Sequence, residues 1–233
     1  MKEKDTKIIV TTSDKYHHII PIFVFLFQKY WGSKQRVELV GYKTPDCLLP
    51  DNFTFVSIGE QGSKKDFSTD LRKYFEEQDE YFIWSMEDTF LKKTINFESL
   101  DVLISLMKEN TDIGRVNLSD ECVKQDHTYA GYYKGYKFFE NTQTADYRLS
   151  TQISIWRKEY LLKYLTPGLT PWDFEAQDSM NDNWRIVGLD KIDAPIRHNE
   201  GVTKHDIYKY NLEGVDQLVI NEMIELNLLN DEK

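Results

Sequence analysis

Short hydrophobic runs alternate with segments of helical length through the first half of the chain, and this order restricts the possible folds. The strand-like runs are KIIVTT (7–12), RVELVGY (36–42), FTFVSIG (53–59), YFIWSM (81–86) and IGRVNL (113–118). Helical spacing or length occurs between them at 17–31, 66–78 and 96–110. Strands that alternate with helices predict an α/β fold, in which helices flank a mostly parallel central sheet.

The 233 residues are expected to form a single domain, because no repeat, low-complexity tract or linker rich in Pro or Gly divides them. Residues 119–147 are polar and rich in tyrosine, which indicates either a β-ribbon or a mobile loop outside the sheet. Hydrophobic order returns at 147–165. The C-terminal region, 201–233, contains an amphipathic segment at 215–229 that is predicted to pack as a helix.

Charge and cysteine content exclude several classes of protein. The net charge of −10 disfavours nucleic acid as the main partner, because proteins that bind phosphate backbones usually carry a basic face. Cys47 and Cys122 are far apart and outside any CxxC spacing, which indicates free thiols in a reducing compartment. No signal-peptide pattern opens the chain, and the most apolar stretch, 19–27, is too short to span a bilayer. A soluble, cytoplasmic protein is therefore expected.

Two adjacent carboxylates, Glu87 and Asp88, follow the most hydrophobic of the predicted strands. Ligands bind beyond the carboxyl ends of parallel strands, and the polar segment 11–14 follows the first strand in the same way. The two polar clusters are therefore expected at one crevice. Carboxylate oxygens suit Mg²⁺ or Mn²⁺, whose coordination a phosphate can complete. The alternative is that the pair caps the start of a following helix.

Several common site motifs are absent from the sequence. There is no GxGxxG after the first strand and no GxxxxGK[ST], which removes the main support for dinucleotide-binding and P-loop functions. GxSxG and HExxH are also absent. A bound phosphate would need something other than a glycine-rich loop to hold it, and a metal ion at the acidic pair is the obvious substitute.

The segment order, together with FIWSMEDTF, resembles the GT-A glycosyltransferases, which use nucleotide sugars and carry an acidic metal-binding motif after a central strand. YRLSTQISIWRKEYL and TPWDFE resemble small bacterial, phage and large-virus members. The resemblance implies a Rossmann-like GT-A sheet with a smaller acceptor-side subregion. It divides the chain into a nucleotide-sugar half, about 6–120, and an acceptor and catalytic half, about 121–200. This motif reads EDT where the family has DxD, and position favours Asp88 over Glu87 as the metal ligand.

The resemblance also implies contacts to the donor. The VTTSDKY segment would hold the nucleoside, and residues in the helix 66–78 could face the base or ribose. The candidate nucleotide-sugar contacts are Thr11, Ser13, Tyr16, Asp70, Arg72, Glu87, Arg148 and Trp172. His198 follows the predicted last strand, where many family members place a metal ligand beside the acidic motif.

Arg148, Ser150 and Gln152 alternate with apolar residues in RLSTQISIW and would lie on one strand. A guanidinium pairs well with a pyrophosphate, so Arg148 is expected to stabilise the departing nucleotide diphosphate. A surface salt bridge is the alternative for this arginine. Trp172 is expected to stack on a sugar ring.

TPWDFE, residues 170–175, has the composition of a helix start. Pro171 suits the first turn, where the positive helix end favours the charges of Asp173 and Glu175. In inverting family members, a carboxylate at such a helix accepts the proton of the acceptor hydroxyl. Glu175 is the first candidate for this catalytic base and Asp173 the second; simple helix capping is the alternative.

The resemblance therefore implies a glycosyltransferase that requires Mn²⁺ or Mg²⁺, takes a UDP- or GDP-sugar and transfers the sugar to an acceptor hydroxyl with inversion. The acceptor could be a surface glycan, a lipid-linked sugar or a modified base in phage DNA, the last disfavoured by net charge. One alternative is a non-catalytic carbohydrate- or nucleotide-binding module on the same fold. A nucleotidyltransferase is a third possibility, weakened by the lack of a glycine-rich, basic N-terminal loop.

Overall fold

A nine-stranded mixed sheet forms the centre of the protein in the computed structural model, which describes residues 6–177, 179–202 and 206–229. Its strands are β1 (Ile8–Thr11), β2 (Val37–Gly41), β3 (Phe53–Ser57), β4 (Tyr81–Met86), β6 (Ile113–Asn117), β7 (His127–Tyr133), β8 (Tyr136–Asn141), β9 (Ser154–Arg157) and β10 (Arg185–Gly188). A second, antiparallel pair consists of β5 (Thr89–Leu91) and β11 (His198–Glu200).

The strand order of the large sheet is β3-β2-β1-β4-β9-β6-β10-β8-β7. The first four strands in this order are parallel to one another, and β6 is parallel to β10. Between these groups, β9 runs antiparallel to both β4 and β6. The carboxyl ends of six strands therefore meet at one edge, as the sequence predicts. The chain leaves β1 toward β2 and returns to β4 on the other side, so β1 and β4 flank a topological switch point.

Helices cover both faces of the sheet. The helices are α1 (Ile20–Tyr30), α2 (Asp66–Glu76), α3 (Phe97–Glu109), α4 (Lys158–Tyr164), α5 (Pro171–Glu175) and α6 (Gln217–Glu225), with 3₁₀ turns at Asp14–Ile19 and Cys122–Lys124. The core on one face joins α1, α3 and α6 to Ile8 and Val10, while the other joins α2, α4 and α5 to Ile9. This alternation follows from the two-residue period of a strand, whose neighbours point to opposite faces.

The predicted α/β fold is confirmed. The tyrosine-rich segment forms the β-ribbon of β7 and β8. The expectation that it lies outside the sheet is wrong, because β8 pairs antiparallel with β10 and the ribbon extends the large sheet. The expectation that Arg148, Ser150 and Gln152 lie on a strand is wrong. β9 begins only at Ser154, and a turn precedes it, in which the Ser150 N–H donates to the Tyr147 carbonyl at 3.0 Å. The helix-cap alternative for the acidic pair is also wrong, because the pair forms the turn between β4 and β5.

The most apolar stretch of the sequence becomes α1, with Pro21 in its first turn. This helix has 11 residues, and its apolar side chains pack on the sheet. Across the described ranges, no helix combines the length and apolarity needed to cross a bilayer. Cys122 is buried and Cys47 is partly buried, and both are free thiols.

Candidate active site

The crevice between β1 and β4 begins where the two strands end side by side. In this register Thr11 lies opposite Met86. Glu87, only 2% exposed, accepts hydrogen bonds at Oε1 from the Ser13 N–H and the Thr12 hydroxyl, each at 3.3 Å. The side chain of Glu87 therefore holds the loop after β1 in place, and the two polar clusters meet as the sequence predicts.

Asp88 is the partly exposed member of the acidic pair. Burial raises the pKa of Asp88, and the charges of Glu200 and Glu175 raise it further. Burial also raises the pKa of Glu87, with the adjacent Asp88 carboxylate adding to the effect. The carboxylates of Glu200 on β11 and Glu175 on α5 are thus close enough to Asp88 to repel its charge, and a cation placed beside Asp88 would relieve the repulsion.

Pairing of β11 with β5 brings Glu200 to this point, opposite Thr89 in the register. The next residue, Gly201, donates its N–H to the Asp88 carbonyl at 2.5 Å. A Cβ atom on Gly201 would lie 2.6 Å from the ring of Phe90, so only glycine permits this approach. Glu200 is not among the site residues that the sequence patterns predict. The sequence does contain a signal for this residue. Glu200 lies two residues after His198, a spacing that places both side chains on one face of a strand.

His198 lies in a different environment from the one predicted. Its Nε2 atom is 2.5 Å from Oε1 of Gln152, whose amide Nε2 donates to Glu200 at 3.2 Å. Burial lowers the pKa of His198 to about 4, and the charges of Lys124 and Lys92 contribute, so the imidazole is neutral at pH 7. Because Nε2 is already hydrogen-bonded and lysines lie nearby, this position argues against the metal-ligand role expected for His198.

Glu175 ends α5 and turns toward the crevice. Its Oε1 atom accepts hydrogen bonds from the N–H and the hydroxyl of Thr151, at 2.6 and 2.7 Å. Pro171 lies in the first turn, as predicted, and Thr170 forms a reciprocal capping box with Asp173. The hydrogen bonds from Thr170 lower the pKa of Asp173, and this carboxylate is exposed. Asp173 is therefore a helix cap and not a second candidate for the base.

The predicted nucleoside contacts differ in their accessibility. The buried hydroxyl of Thr11 accepts from the Trp84 indole at 3.0 Å and donates to the Met86 sulfur at 3.1 Å. It is used within the sheet and cannot contact a ligand. Ser13 is partly exposed in the loop. Burial raises the pKa of Tyr16, and the charges of the acidic pair raise it further, so this phenol lies beside the crevice.

Two candidates on α2 have structural partners. Arg72 donates to the carbonyl oxygens of Leu162 and Leu165 at 2.6 and 3.3 Å, which joins α2 to the end of α4. Its guanidinium thus has a structural role, and the base or ribose contact expected for Arg72 stays a prediction. Asp70 accepts from the Tyr42 hydroxyl at 3.4 Å, just beyond the carboxyl end of β2. Asp70 thus lies on the same edge of the sheet as the acidic pair.

Arg148 is 1% exposed and cannot reach a ligand in the crevice. It pairs with the buried carboxylate of Asp182 at 3.0 Å and donates to the carbonyls of Ser179, Thr142 and Trp184. The predicted pyrophosphate contact is wrong, and so is the surface salt bridge. The guanidinium instead fastens the segment before β9 to the loops around it.

Replacing Arg148 with methionine should lower the free energy of unfolding by about 3 to 5 kcal/mol, because a buried Asp182 carboxylate would lose its charged partner. Urea denaturation measures this change. Arg185→Met is the matched control, since Arg185 is half-buried in ion pairs at the sheet margin and should cost about 1 kcal/mol or less. Equal losses in both variants would contradict the structural role of Arg148.

A cleft of about 680 Å³ opens beside the convergent carboxylates, and Glu175, Glu200 and Gln152 all line it. Trp172, 58% exposed, stands on α5 with the Lys64 ammonium 6.0 Å from its ring centre. Within the described ranges, no three His, Cys, Asp or Glu side chains are grouped as ligands of one metal ion. Magnesium sites often use only one or two carboxylates and complete their shell with water and substrate phosphates, so the acidic groups present fit that arrangement.

Comparison with known proteins shows distant structural likeness only. No protein-family model matches the chain, and no curated protein sequence matches it. A UTP-bound UGPase from Acinetobacter baumannii has a similar fold, with a TM-score of 0.51 and 9% identity over 98% of this chain and 95% of that one. At this identity the likeness shows the fold alone.

The galactosyltransferase LgtC aligns less completely. Its complex with donor and acceptor sugar analogues gives a TM-score of 0.41 and 11% identity, over 78% of this chain and 72% of that one. An active-site mutant of LgtC gives a TM-score of 0.39 and 12% identity, over 67% of this chain and 59% of that one. What the site can do must therefore be argued from its own residues.

Proposed function

We propose that this chain is a metal-dependent glycosyltransferase, which moves a sugar from a UDP- or GDP-sugar to an acceptor hydroxyl. One observation carries the proposal: Glu175 and Glu200 line one open cleft, and the bond from the Gly201 N–H to the Asp88 carbonyl sets Glu200 beside the acidic turn. The charges of Glu200 and Glu175 raise the pKa of Asp88 by repulsion. Such repulsion is destabilising unless a cation offsets it, and functional sites are where such arrangements are kept. The crevice also lies at the switch point of the sheet, where ligands of α/β proteins bind.

Asp88 and Glu200 are the residues that would hold Mn²⁺ or Mg²⁺. Bound there, the cation would neutralise the nucleotide diphosphate as it leaves. Glu87 acts indirectly, since its carboxylate holds the loop of Thr12 and Ser13 against the crevice. That loop and Tyr16 are the parts of the chain that would contact the nucleoside.

Glu175 is the proposed catalytic base. An acceptor hydroxyl becomes a good nucleophile only when a base takes its proton during attack, and a carboxylate that lines the cleft can do so. The two hydrogen bonds from Thr151 fix the direction of this carboxylate, which makes Thr151 a positioning residue. A base on the acceptor side implies direct displacement and an inverted product. Trp172 is exposed on the same helix and offers a stacking face for a sugar.

A thermal-shift screen tests this function. UDP or GDP together with Mn²⁺ should raise the melting temperature, because a ligand at 100 times its Kd stabilises the native state by about 2.7 kcal/mol. Mn²⁺ alone should have a smaller effect, since the diphosphate completes the metal site. If no nucleoside diphosphate shifts the transition with either Mn²⁺ or Mg²⁺, the proposed function is wrong.

A further inference from the structure

The cleft beside the proposed catalytic centre has a cationic region that the transfer reaction as described does not use. Lys92, Lys124, Lys191 and Arg197 all line this cleft, although the chain as a whole carries a charge of −10. They come from four places: the end of β5, the second 3₁₀ turn, and two positions in the loop between β10 and β11. The carboxylates Asp120, Glu121, Glu175 and Glu200 line the same cleft, so a field suited to anions arises where the cations outnumber the carboxylates free to pair with them.

The neighbouring carboxylates do not cancel this charge. The Lys124 ammonium is 2.8 Å from Asp120. Burial opposes the effect, yet the charges of Lys124 and Arg197 hold the pKa of Asp120 below its usual range. Glu121 also lines the cleft, but its carboxylate is bound at 2.7 Å by the buried guanidinium of Arg115. The single negative charge of Asp120 is therefore shared between at least two cations, Lys124 and Arg197.

Lys92 adds to the excess, because its ammonium bonds at 2.6 Å to the neutral amide oxygen of Asn199. His198 lies on this cationic side of the cleft, while Glu200 is held beside Asp88 by the bond from the Gly201 N–H to the Asp88 carbonyl at 2.5 Å. Gln152 bonds to both His198 and Glu200, so its side-chain amide lies between the cationic region of the cleft and the acidic region at Asp88.

Two buried atoms in this region lack hydrogen-bond partners within the described part of the chain: Nη1 of Arg197 and Nδ1 of His198. The Gln152 amide donates to Glu200, so its oxygen must accept from His198 Nε2. The neutral imidazole thus carries its proton on Nε2, and Nδ1 is an acceptor. Arg197 therefore lacks a full set of protein partners among the described residues, and an anion in the cleft that it lines is the kind of ligand it would bind.

We infer that the acceptor is an anionic sugar, whose phosphate or carboxylate binds Lys92, Lys124 and Arg197 while a nearby hydroxyl faces Glu175. This inference rests on the proposed function for the identity of the reacting hydroxyl. It assigns the cationic region to the acceptor and the acidic region to the donor, and thereby specifies the acceptor class. Binding of the anionic sugar to these cations should weaken as salt is added, as expected for interactions between partly exposed charges.

Calorimetric titration with glucose, glucose 6-phosphate, glucuronate and inorganic phosphate tests the inference. Wild-type protein should bind the anionic sugars at least about tenfold more tightly than glucose. Which of the two anionic sugars binds better distinguishes a phosphate ester from a carboxylate. Arg197→Gln should weaken anion binding by about ten- to a hundredfold, the loss of one charge-assisted hydrogen bond. Arg36→Gln is the control, because Arg36 is exposed before β2, at the opposite edge of the sheet.

Binding of UDP or GDP with Mn²⁺ is measured on the same proteins, which separates this inference from the proposed function. Arg197→Gln should retain nucleotide binding. Loss of nucleotide binding in that variant would show that the cations hold the donor diphosphate, and would overturn the inference while leaving the transferase intact. Equal binding of glucose and its anionic relatives, or no effect of Arg197→Gln, would also overturn it. If Arg197→Gln does not fold, Lys124→Gln provides the same comparison.

Discussion

Replacing Glu175 with glutamine should reduce sugar transfer by roughly a hundred- to ten-thousandfold, which is the usual contribution of a general base. Glutamine keeps the size and the Oε1 acceptor that Thr151 contacts, but it cannot take a proton. Affinity for the nucleotide diphosphate with Mn²⁺ should change little, because Glu175 acts on the acceptor. Single-turnover transfer assays and calorimetry measure the two quantities separately.

Asp173→Asn is the matched control on the same short helix. Asp173 caps α5 together with Thr170 and is exposed, so its neutral variant should retain transfer activity and lose at most about 1 kcal/mol of stability. If Glu175→Gln retained full activity while Asp173→Asn lost it, the base would be assigned to the wrong carboxylate. Loss of nucleotide binding in Glu175→Gln would place this residue on the donor side instead.

Replacing Asp88 with asparagine should abolish the metal-dependent hydrolysis of a sugar nucleotide and the metal-dependent part of nucleotide affinity. The reason is that an amide is a poor ligand for Mg²⁺ or Mn²⁺ compared with a carboxylate. Donor hydrolysis, followed by release of the nucleoside diphosphate, measures the effect. A non-catalytic binding module would show no hydrolysis in the wild-type protein, so the same assay distinguishes the two functions.

The same substitution should stabilise the metal-free protein at neutral pH. The folded state raises the pKa of Asp88 through burial and through Glu200 and Glu175, so it disfavours the ionised side chain. Asn removes that charge, with a gain on the order of 1–3 kcal/mol, since a tenfold change in a protonation equilibrium equals about 1.4 kcal/mol. The gain should be complete above the raised pKa. It should disappear as the pH falls below the ordinary Asp pKa of about 3.9, where Asp88 is protonated in both states.

Asp51→Asn serves as the charge-matched control for Asp88→Asn. Asp51 is exposed just before β3, at the edge of the sheet opposite the crevice. Its replacement should leave donor hydrolysis unchanged and alter the melting temperature only slightly. Unimpaired metal-dependent hydrolysis in Asp88→Asn would remove the basis for the proposed metal site.

Local patterns were sufficient to predict most of the sheet and the position of the acidic pair. β4 occupies the predicted residues, Tyr81–Met86, because a run this apolar can be buried on both faces of a parallel sheet. The meeting of Glu87 with Ser13 follows from one rule, that parallel strands end at the same edge. These features depend on residues near one another in sequence and on the geometry of strand pairing.

Features that depend on distant contacts could not be predicted in this way. Nothing in the sequence around Arg148 distinguishes it from an exposed arginine. Only the packing of Asp182 against it in the folded chain shows that the pair is buried. Glu200 reaches Asp88 because Gly201 fits against Phe90, a contact between segments more than a hundred residues apart. The four cleft cations come from three separate segments, so their grouping appears only in the folded chain.

The most direct test of the account is diffraction from crystals soaked with manganese chloride and UDP or GDP, recorded at the manganese absorption edge. The account predicts an anomalous peak bonded to the Asp88 carboxylate, with Glu200 close by and the diphosphate completing the shell of the ion. An absence of manganese from this position, or a diphosphate bound elsewhere with Asp88 turned away from it, would contradict the account.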